Sequence, residues 1–221
     1  MAHHEALCAF RFHEFYLALG YKGEQIKRYF LDFYSLNQDF TVSLNDGAIR
    51  SINHNHSDPW EVHLIDTGQT SMTGGRLKRL ASMINKKTFM MTYGDGVGLV
   101  DIPKLLAFHR SQGGLVTLSA VHSPARFGAL EFEGNRICHF MEKSILHEGW
   151  INGGFFVINS EALNYIKEDV MWEHAPMEKL AEEGKLYAYK HEGFWQCMDT
   201  ARDLKYLEDL WQTGNPPWIT R

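Results

Sequence analysis

The stretch from Thr88 to Gly96 constrains the fold of this chain more than any other. An apolar run, Thr88–Tyr93, stops abruptly at Gly94-Asp95-Gly96, which predicts a buried strand that ends in a glycine-lined turn. In an open α/β sheet, ligands bind outside the carboxyl ends of the strands. The Asp95 carboxylate would then suit a hard cation such as Mg²⁺ that carries phosphates. Gly-Asp-Gly is also a common turn sequence, so the motif alone leaves a structural role open.

Composition limits the class of protein. The chain has 221 residues, of which 44% are hydrophobic and 22% charged, so we expect a single domain over residues 1–221 with an irregular start at 1–12. A net charge of −5 argues against binding to a nucleic acid polymer. Cys8, Cys138 and Cys197 are widely separated, which fits a reducing compartment. No apolar run reaches membrane-spanning length, so we expect a cytoplasmic protein without a membrane contact.

Alternating strand and helix patterns predict an α/β fold. A strand at Glu14–Leu19 meets a glycine turn, and the apolar residues that follow recur at helical spacing, which indicates a parallel α/β unit. Asn45-Asp46-Gly47 predicts a hairpin turn. Further strands are expected at 60–65, 115–121, 151–157 and 186–191, a second hairpin at 130–140, and helices after Arg76, Asp101, Ser160, Pro176 and Thr200, the last with a buried stripe of Leu204, Leu207, Leu210 and Trp211.

The stretch Asp66–Arg76 is rich in hydroxyls and glycines and leads directly into a predicted helix. Unpaired N–H groups at such a helix start, with Ser71 nearby, could receive an anion. Arg76 in the first turn opposes the helix dipole, which is easier to explain if it meets a phosphate or a base. A plain capping loop is the alternative.

Other polar residues are ambiguous on their own. Asp199 lies just outside the helix that Thr200 would cap, so it could complement the helix dipole or bind a ligand. The pair Glu142-Lys143 follows a strand, where such pairs are usually surface salt bridges. His54 and His56 are interpreted as part of a solvated loop rather than a metal site, because no further ligand has suitable spacing.

Taken in order, these stretches carry a resemblance. The motifs are Gly20-Tyr21-Lys22-Gly23, Asp66–Arg79, Tyr93–Val97, Arg126–Leu130, Glu142-Lys143, Ile151–Phe156 and Gly193–Thr200. Their order closely resembles the sugar nucleotidyltransferase family from about Glu14 to Trp218. The sequence Met72-Thr73-Gly74-Gly75-Arg76 is similar to that of its cytidylyl branch.

The resemblance implies a Rossmann-like nucleotidyltransferase fold with a mixed, mostly parallel sheet. It also implies transfer of a cytidylyl group from CTP to glucose 1-phosphate, which gives CDP-glucose and pyrophosphate, and it suggests a homo-oligomer. By similarity, Asp95 and Asp199 would hold Mg²⁺ and act with Lys143 as catalytic residues. The resemblance further assigns the nucleotide to Ser71, Arg76 and Gly94, and the sugar phosphate to Gly128, Glu142, Lys143 and Asn152.

The sequence also departs from the family pattern. The family begins with a strand, a glycine-rich loop ending in Gly-Thr-Arg and a Lys-Pro-Lys-Pro segment, whereas this sequence joins the pattern at Phe12–Leu19. We therefore expect an N-terminally truncated fold that lacks about 30 residues, one βα unit. Ser144 replaces the proline that usually follows Glu-Lys. An alternative function is accordingly that of a non-catalytic family member that binds nucleotide, sugar phosphate or an oligomer partner.

Overall fold

The computed structural model describes residues 12–37, 39–52, 60–122, 129–133, 136–141 and 149–219. These residues form two compact units. The small unit comprises Phe12–Ile84 and Ile166–His174, and the large unit comprises Asn85–Tyr165 and Ala175–Arg221. The expected single domain over 1–221 remains a prediction. Within the described ranges, no helix combines the length and apolar character needed to cross a bilayer.

The small unit is built on one parallel strand pair. Strand β1 (Glu14–Leu19) pairs in parallel with β4 (Glu61–Asp66), and helix α1 (Gly23–Leu36) lies between them in sequence, as the glycine turn and helical period predict. Strands β2 (Phe40–Val42) and β3 (Ile49–Ser51) form the predicted hairpin. Helix α2 (Thr73–Leu80) buries Leu77 and Leu80.

The large unit contains a mixed four-stranded sheet. Its strands are β5 (Thr88–Thr92), β7 (Val116–His122), β10 (Trp150–Asn159) and β11 (Leu186–Lys190), in the spatial order β11-β7-β10-β5. Strand β10 is antiparallel to both neighbours and β11 is parallel to β7, so β5, β7 and β11 share one direction. Their carboxyl ends therefore lie at one edge of the sheet, which is where ligands bind in such folds.

Shorter elements complete the large unit. Strand β6 (Gly96–Gly98) pairs with β12 (Trp195–Cys197), and β8 (Ala129–Glu133) pairs with β9 (Arg136–Met141). The helices are α3 (Ile102–Gln112), a 3₁₀ helix (Ser160–Tyr165), α4 (Ala175–Glu182) and α5 (Ala201–Gln212). The core of the sheet is fully buried at Phe156, Val157 and Ile158.

Local signals predicted the helix ends well. The Asp101 carboxylate accepts the backbone N–H of Lys104, and Gly113 adopts a left-handed conformation at the end of α3. Thr200 and Asp203 form a reciprocal capping box on α5. The buried stripe expected on α5 is wrong in part, because Leu207 is buried whereas Leu204 and Trp211 are 43% and 48% exposed. A helical period identifies one face of a helix, but tertiary packing decides how much of that face is covered.

Candidate functional site

Asp95 and Asp199 both lie just beyond the end of one strand pair in the large unit. The last paired residues of β6 and β12 are Gly96 and Cys197, and beyond them the Met198 N–H donates to the Asp95 carbonyl oxygen at 2.7 Å. Asp199 is the next residue, directly before the Thr200 cap of α5. Both aspartates are solvent-exposed. Two residues more than 100 positions apart thus lie beside the end of the same strand pair, and their sharing of a cation stays a prediction.

Asn152 is positioned by hydrogen bonds next to the turn that carries Asp95. Its side-chain NH₂ donates to the Tyr93 hydroxyl at 3.3 Å, and its side-chain oxygen accepts the Gly154 N–H at 2.9 Å. The Tyr93 N–H in turn donates to the Gly154 carbonyl at 3.1 Å. Tyr93 directly precedes Gly94-Asp95, so Asn152 and the metal-binding candidates belong to one connected region of the large unit.

The glycines beside Asn152 are required by close packing. A Cβ on Gly153 would lie 2.6 Å from Val121 Cγ1, and Gly154 has a φ of +78°. The regular pairing of β10 with β7 is interrupted between Asn152 and Phe156. The Trp195 indole N–H donates to the Gly153 carbonyl at 2.8 Å, which ties this irregularity to β12. A bulge of this kind redirects side chains near a site. Gly94, in contrast, has open space around its Cβ position.

Arg76 lies in the small unit and is bound to backbone and hydroxyl oxygens. Its Nη1 donates to the Leu19 carbonyl at 3.1 Å and to Thr67 Oγ1 at 2.8 Å. The guanidinium also fits against Gly20, where a Cβ would lie 2.4 Å from it. Ser71 Oγ donates to the Thr67 carbonyl at 2.6 Å and is contacted by the Arg79 guanidinium. Arg76 therefore holds the loop after β4 against the end of β1, whereas Ser71 is bonded within that loop and to α2.

Two N–H groups at the start of α2 are bonded within the protein, whereas the sequence pattern suggested unpaired groups there. The Met72 N–H donates to an Asp169 carboxylate oxygen at 2.9 Å, and the Gly74 N–H donates to the Val170 carbonyl at 2.9 Å. The Trp172 N–H donates to Thr73 Oγ1 at 2.8 Å. Two donors at the helix start, the N–H groups of Met72 and Gly74, are thus satisfied by Asp169 and Val170. The Asp169 side chain and the Trp172 backbone N–H were missed by sequence reasoning, because no local pattern links them to a helix almost 100 residues earlier.

The structure therefore locates the predicted site residues in two separate groups. Gly94, Asp95, Asn152 and Asp199 lie in the large unit, and Ser71 and Arg76 lie in the small unit. Gly128, Glu142 and Lys143 lie outside the described residues. Tyr93, which orients Asn152, was not among the predicted site residues. The sequence signal that could have identified Tyr93 is its position at the end of an apolar strand, directly before Gly94-Asp95.

The two aspartates fit a magnesium ion that arrives with phosphates. Mg²⁺ is usually held by one or two carboxylates together with water and phosphate oxygens. Among the described residues, no group of three His, Cys, Asp or Glu side chains could hold a metal ion. The donor set of Asp95 and Asp199 would accordingly need oxygens from a nucleotide and from water. Both residues offer solvent-exposed carboxylate oxygens, which is consistent with that arrangement.

The chain has an α/β fold with a mixed sheet, and the relatives that it matches in sequence are sugar nucleotidyltransferases. The solved structure of HddC from Yersinia pseudotuberculosis shares this fold, with a TM-score of 0.59 and 19% identity over 92% of this chain and 80% of that one. No protein-family model matches the chain.

Similarity in sequence defines the family more closely. The chain is 43% identical over 209 residues to the glucose-1-phosphate cytidylyltransferase of Salmonella typhi, a match that covers 94% of this chain and 81% of that protein. The enzyme of the same name from Salmonella typhimurium matches equally, at 43% over 209 residues. The chain belongs to the glucose-1-phosphate cytidylyltransferase family.

Proposed function

We propose that this chain transfers a cytidylyl group from CTP to glucose 1-phosphate, giving CDP-glucose and pyrophosphate. The observation that carries the proposal is the 43% identity over 94% of the chain to enzymes named for that reaction. The location of both Asp95 and Asp199 beyond the end of the β6–β12 pair supports it, because this transfer concentrates negative charge around the α-phosphate of the nucleotide.

The reaction requires alignment and charge neutralisation more than covalent participation by the protein. A phosphate oxygen of the sugar phosphate bonds to the α-phosphorus of CTP while the bond to the bridging oxygen breaks, and pyrophosphate leaves with that electron pair. Asp95 and Asp199 would hold Mg²⁺, which supplies charge neutralisation and orients the phosphates. The backbone next to both residues is held by the β6–β12 pairing and by the start of α5, which supports a fixed position for Asp95 and Asp199.

Asn152 would bind the sugar phosphate. Its amide is fixed by Tyr93 on one side and by the Gly154 N–H on the other. A side chain whose orientation is set in advance loses little conformational freedom when it binds a ligand. The proposal also includes binding of the sugar phosphate by Gly128, Glu142 and Lys143, with Lys143 as a catalytic residue.

Ser71 and Arg76 would contact the nucleotide. Arg76 donates to two oxygens of the protein through Nη1. A guanidinium carries five N–H donors in a planar fork, so it can brace the loop and still present donors to a phosphate or a base. The nucleotide role of Arg76 is thus compatible with its structural contacts.

The test is pyrophosphate release by the purified chain with Mg²⁺, glucose 1-phosphate and each of the four nucleoside triphosphates. We expect release with CTP, reduced at least 100-fold in Asp95→Asn and in Asp199→Asn. Asp209→Asn, on the exposed surface of α5, is the matched control and should retain activity. No release with any triphosphate from folded protein would refute the proposal and favour the non-catalytic alternative, which direct binding of CDP-glucose would then detect.

The proposal includes a cytoplasmic homo-oligomer. Light scattering of the purified chain measures the oligomeric state, and a mass of about 25 kDa at all concentrations would contradict it.

A further inference from the structure

One face of the large sheet carries a row of polar and aromatic side chains at its carboxyl edge. Ala120 of β7 is directly paired with Asn152 of β10 on one side and with Lys190 of β11 on the other. Directly paired residues point to the same face of a sheet, and so do residues two positions apart. His122 and Trp150, which form the next pair, therefore lie on the same face as Asn152 and Lys190.

Trp150 is the centre of this row. Its ring centroid lies 4.0 Å from that of His122 with the planes tilted by 39°, and the Lys190 ammonium lies 5.3 Å from the Trp150 ring centroid. Trp150 is nevertheless 36% exposed, and Lys190 is exposed as well. A large aromatic side chain that is held by two neighbours and still open to solvent offers a preformed apolar surface with a cation beside it.

We propose that Trp150 and Lys190 bind the hexose phosphate, so that the row from Asn152 to Lys190 is the floor of the sugar-phosphate site; this inference rests on the proposed function. The apolar C–H face of the sugar ring would pack on Trp150, and the Lys190 ammonium would meet an anionic or hydroxyl oxygen. Asn152 and Lys190 are two inter-strand spacings apart, about 10 Å, which matches the length of a hexose phosphate. Neither residue has a covalent role.

A sugar fits this surface better than other ligands for two reasons. Asn152, the predicted sugar-phosphate residue, shares the face and the edge with Trp150. Ligand sites for small molecules combine aromatic walls with a few fixed polar groups, and here the fixed groups are an amide and an ammonium.

The test compares Trp150→Ala, Trp150→Phe and Lys190→Met with the wild-type chain. Trp211→Ala and Lys205→Met on α5 are matched controls, since both residues are exposed and lie on a helix rather than in the row. Steady-state pyrophosphate release gives the KM values for glucose 1-phosphate and for CTP separately. Calorimetric titration with glucose 1-phosphate and with CDP-glucose measures binding without turnover.

We expect Trp150→Ala to raise the KM for glucose 1-phosphate about tenfold or more, with the KM for CTP within twofold. Trp150→Phe, which keeps an aromatic face, should restore most of the affinity, and Lys190→Met should weaken sugar-phosphate binding by about tenfold. The controls should remain within twofold. An equal rise in both KM values, or a rise for CTP alone, would overturn the inference, because the first indicates a structural role and the second a nucleobase contact.

The calorimetric arm separates this inference from the proposed function. A chain that binds glucose 1-phosphate through Trp150 but releases no pyrophosphate would refute catalysis and retain the sugar site. A chain that turns over normally after Trp150→Ala would retain catalysis and refute the sugar site. Wild-type protein that binds neither glucose 1-phosphate nor CDP-glucose would refute the sugar site as well.

Discussion

Gly74→Ala tests whether the glycines of the Met-Thr-Gly-Gly-Arg motif are needed for packing within the small unit. A Cβ at position 74 would lie 2.6 Å from the Val170 carbonyl oxygen and 3.3 Å from the Trp172 nitrogen. Both are backbone atoms, so a side-chain rotation cannot relieve the clash. Residues 166–174 would have to shift away from the start of α2.

The magnitude follows from three opposing effects. Forcing a methyl group into a packed position costs about 1–3 kcal/mol. The shift also weakens the hydrogen bond from the Gly74 N–H to the Val170 carbonyl, worth about 0.5–1.5 kcal/mol. Alanine offsets about 1 kcal/mol of the loss in the free energy of unfolding, because its helix propensity exceeds that of glycine. The expected net loss in the free energy of unfolding is about 2 kcal/mol.

Urea unfolding followed by circular dichroism measures this loss. With a urea dependence of about 2 kcal/mol per molar, the midpoint for Gly74→Ala should fall by about 1 M. Gly149→Ala is the control, since the Cβ position of Gly149 has no neighbour within 4 Å. Equal midpoints for the two variants would refute the packing argument and leave the motif glycines available for a direct role at the nucleotide.

Three further predictions concern caps and charges. Thr200→Ala should lower the free energy of unfolding by about 1 kcal/mol through loss of the α5 capping box, whereas Thr200→Ser should not; urea midpoints decide. Arg76→Lys should cost about 1–3 kcal/mol, because a lysine cannot reproduce the planar contacts to the Leu19 carbonyl; an unchanged midpoint would contradict this. Hydrogen bonds from the Lys104 ammonium and backbone N–H lower the pKa of Asp101 below its ordinary 3.8. Wild type should therefore be more stable than Asp101→Asn, by less than about 1 kcal/mol at this exposed site. This difference in the free energy of unfolding should be constant above about pH 5 and decline as the pH falls below 3.8. Acid titrations of both proteins measure it.

Much of the fold follows from local sequence signals. The strand at Glu14–Leu19, the cap at Asp101 and the glycine stop at Gly113 each depend on residues within a few positions, so the sequence predicts them directly. Such features need only the local chemistry of turns and caps. The joint role of Asp95 and Asp199, in contrast, was predicted from the family resemblance rather than from local signals.

Other features depend on contacts that the sequence does not encode locally. Asp169 and Val170 accept hydrogen bonds from N–H groups at the start of α2, almost 100 positions earlier in the chain. No sequence pattern near Gly74 indicates these bonds. The row that contains Trp150 and Lys190 emerges only once the order β11-β7-β10 is known. Strand order is a long-range property, and that is why sequence reasoning identified Asn152 but not its neighbours on the same face.

The contribution of residues 166–174 to the small unit has a consequence for biosynthesis. A ribosome makes β1, α1, β4 and α2 first, but the residues that satisfy the start of α2 follow only after most strands of the large unit. The small unit therefore cannot reach its native hydrogen bonding as an independent block of the nascent chain. Its completion has to wait until the polypeptide has passed through the large unit and returned, so the two units mature together rather than in order of synthesis.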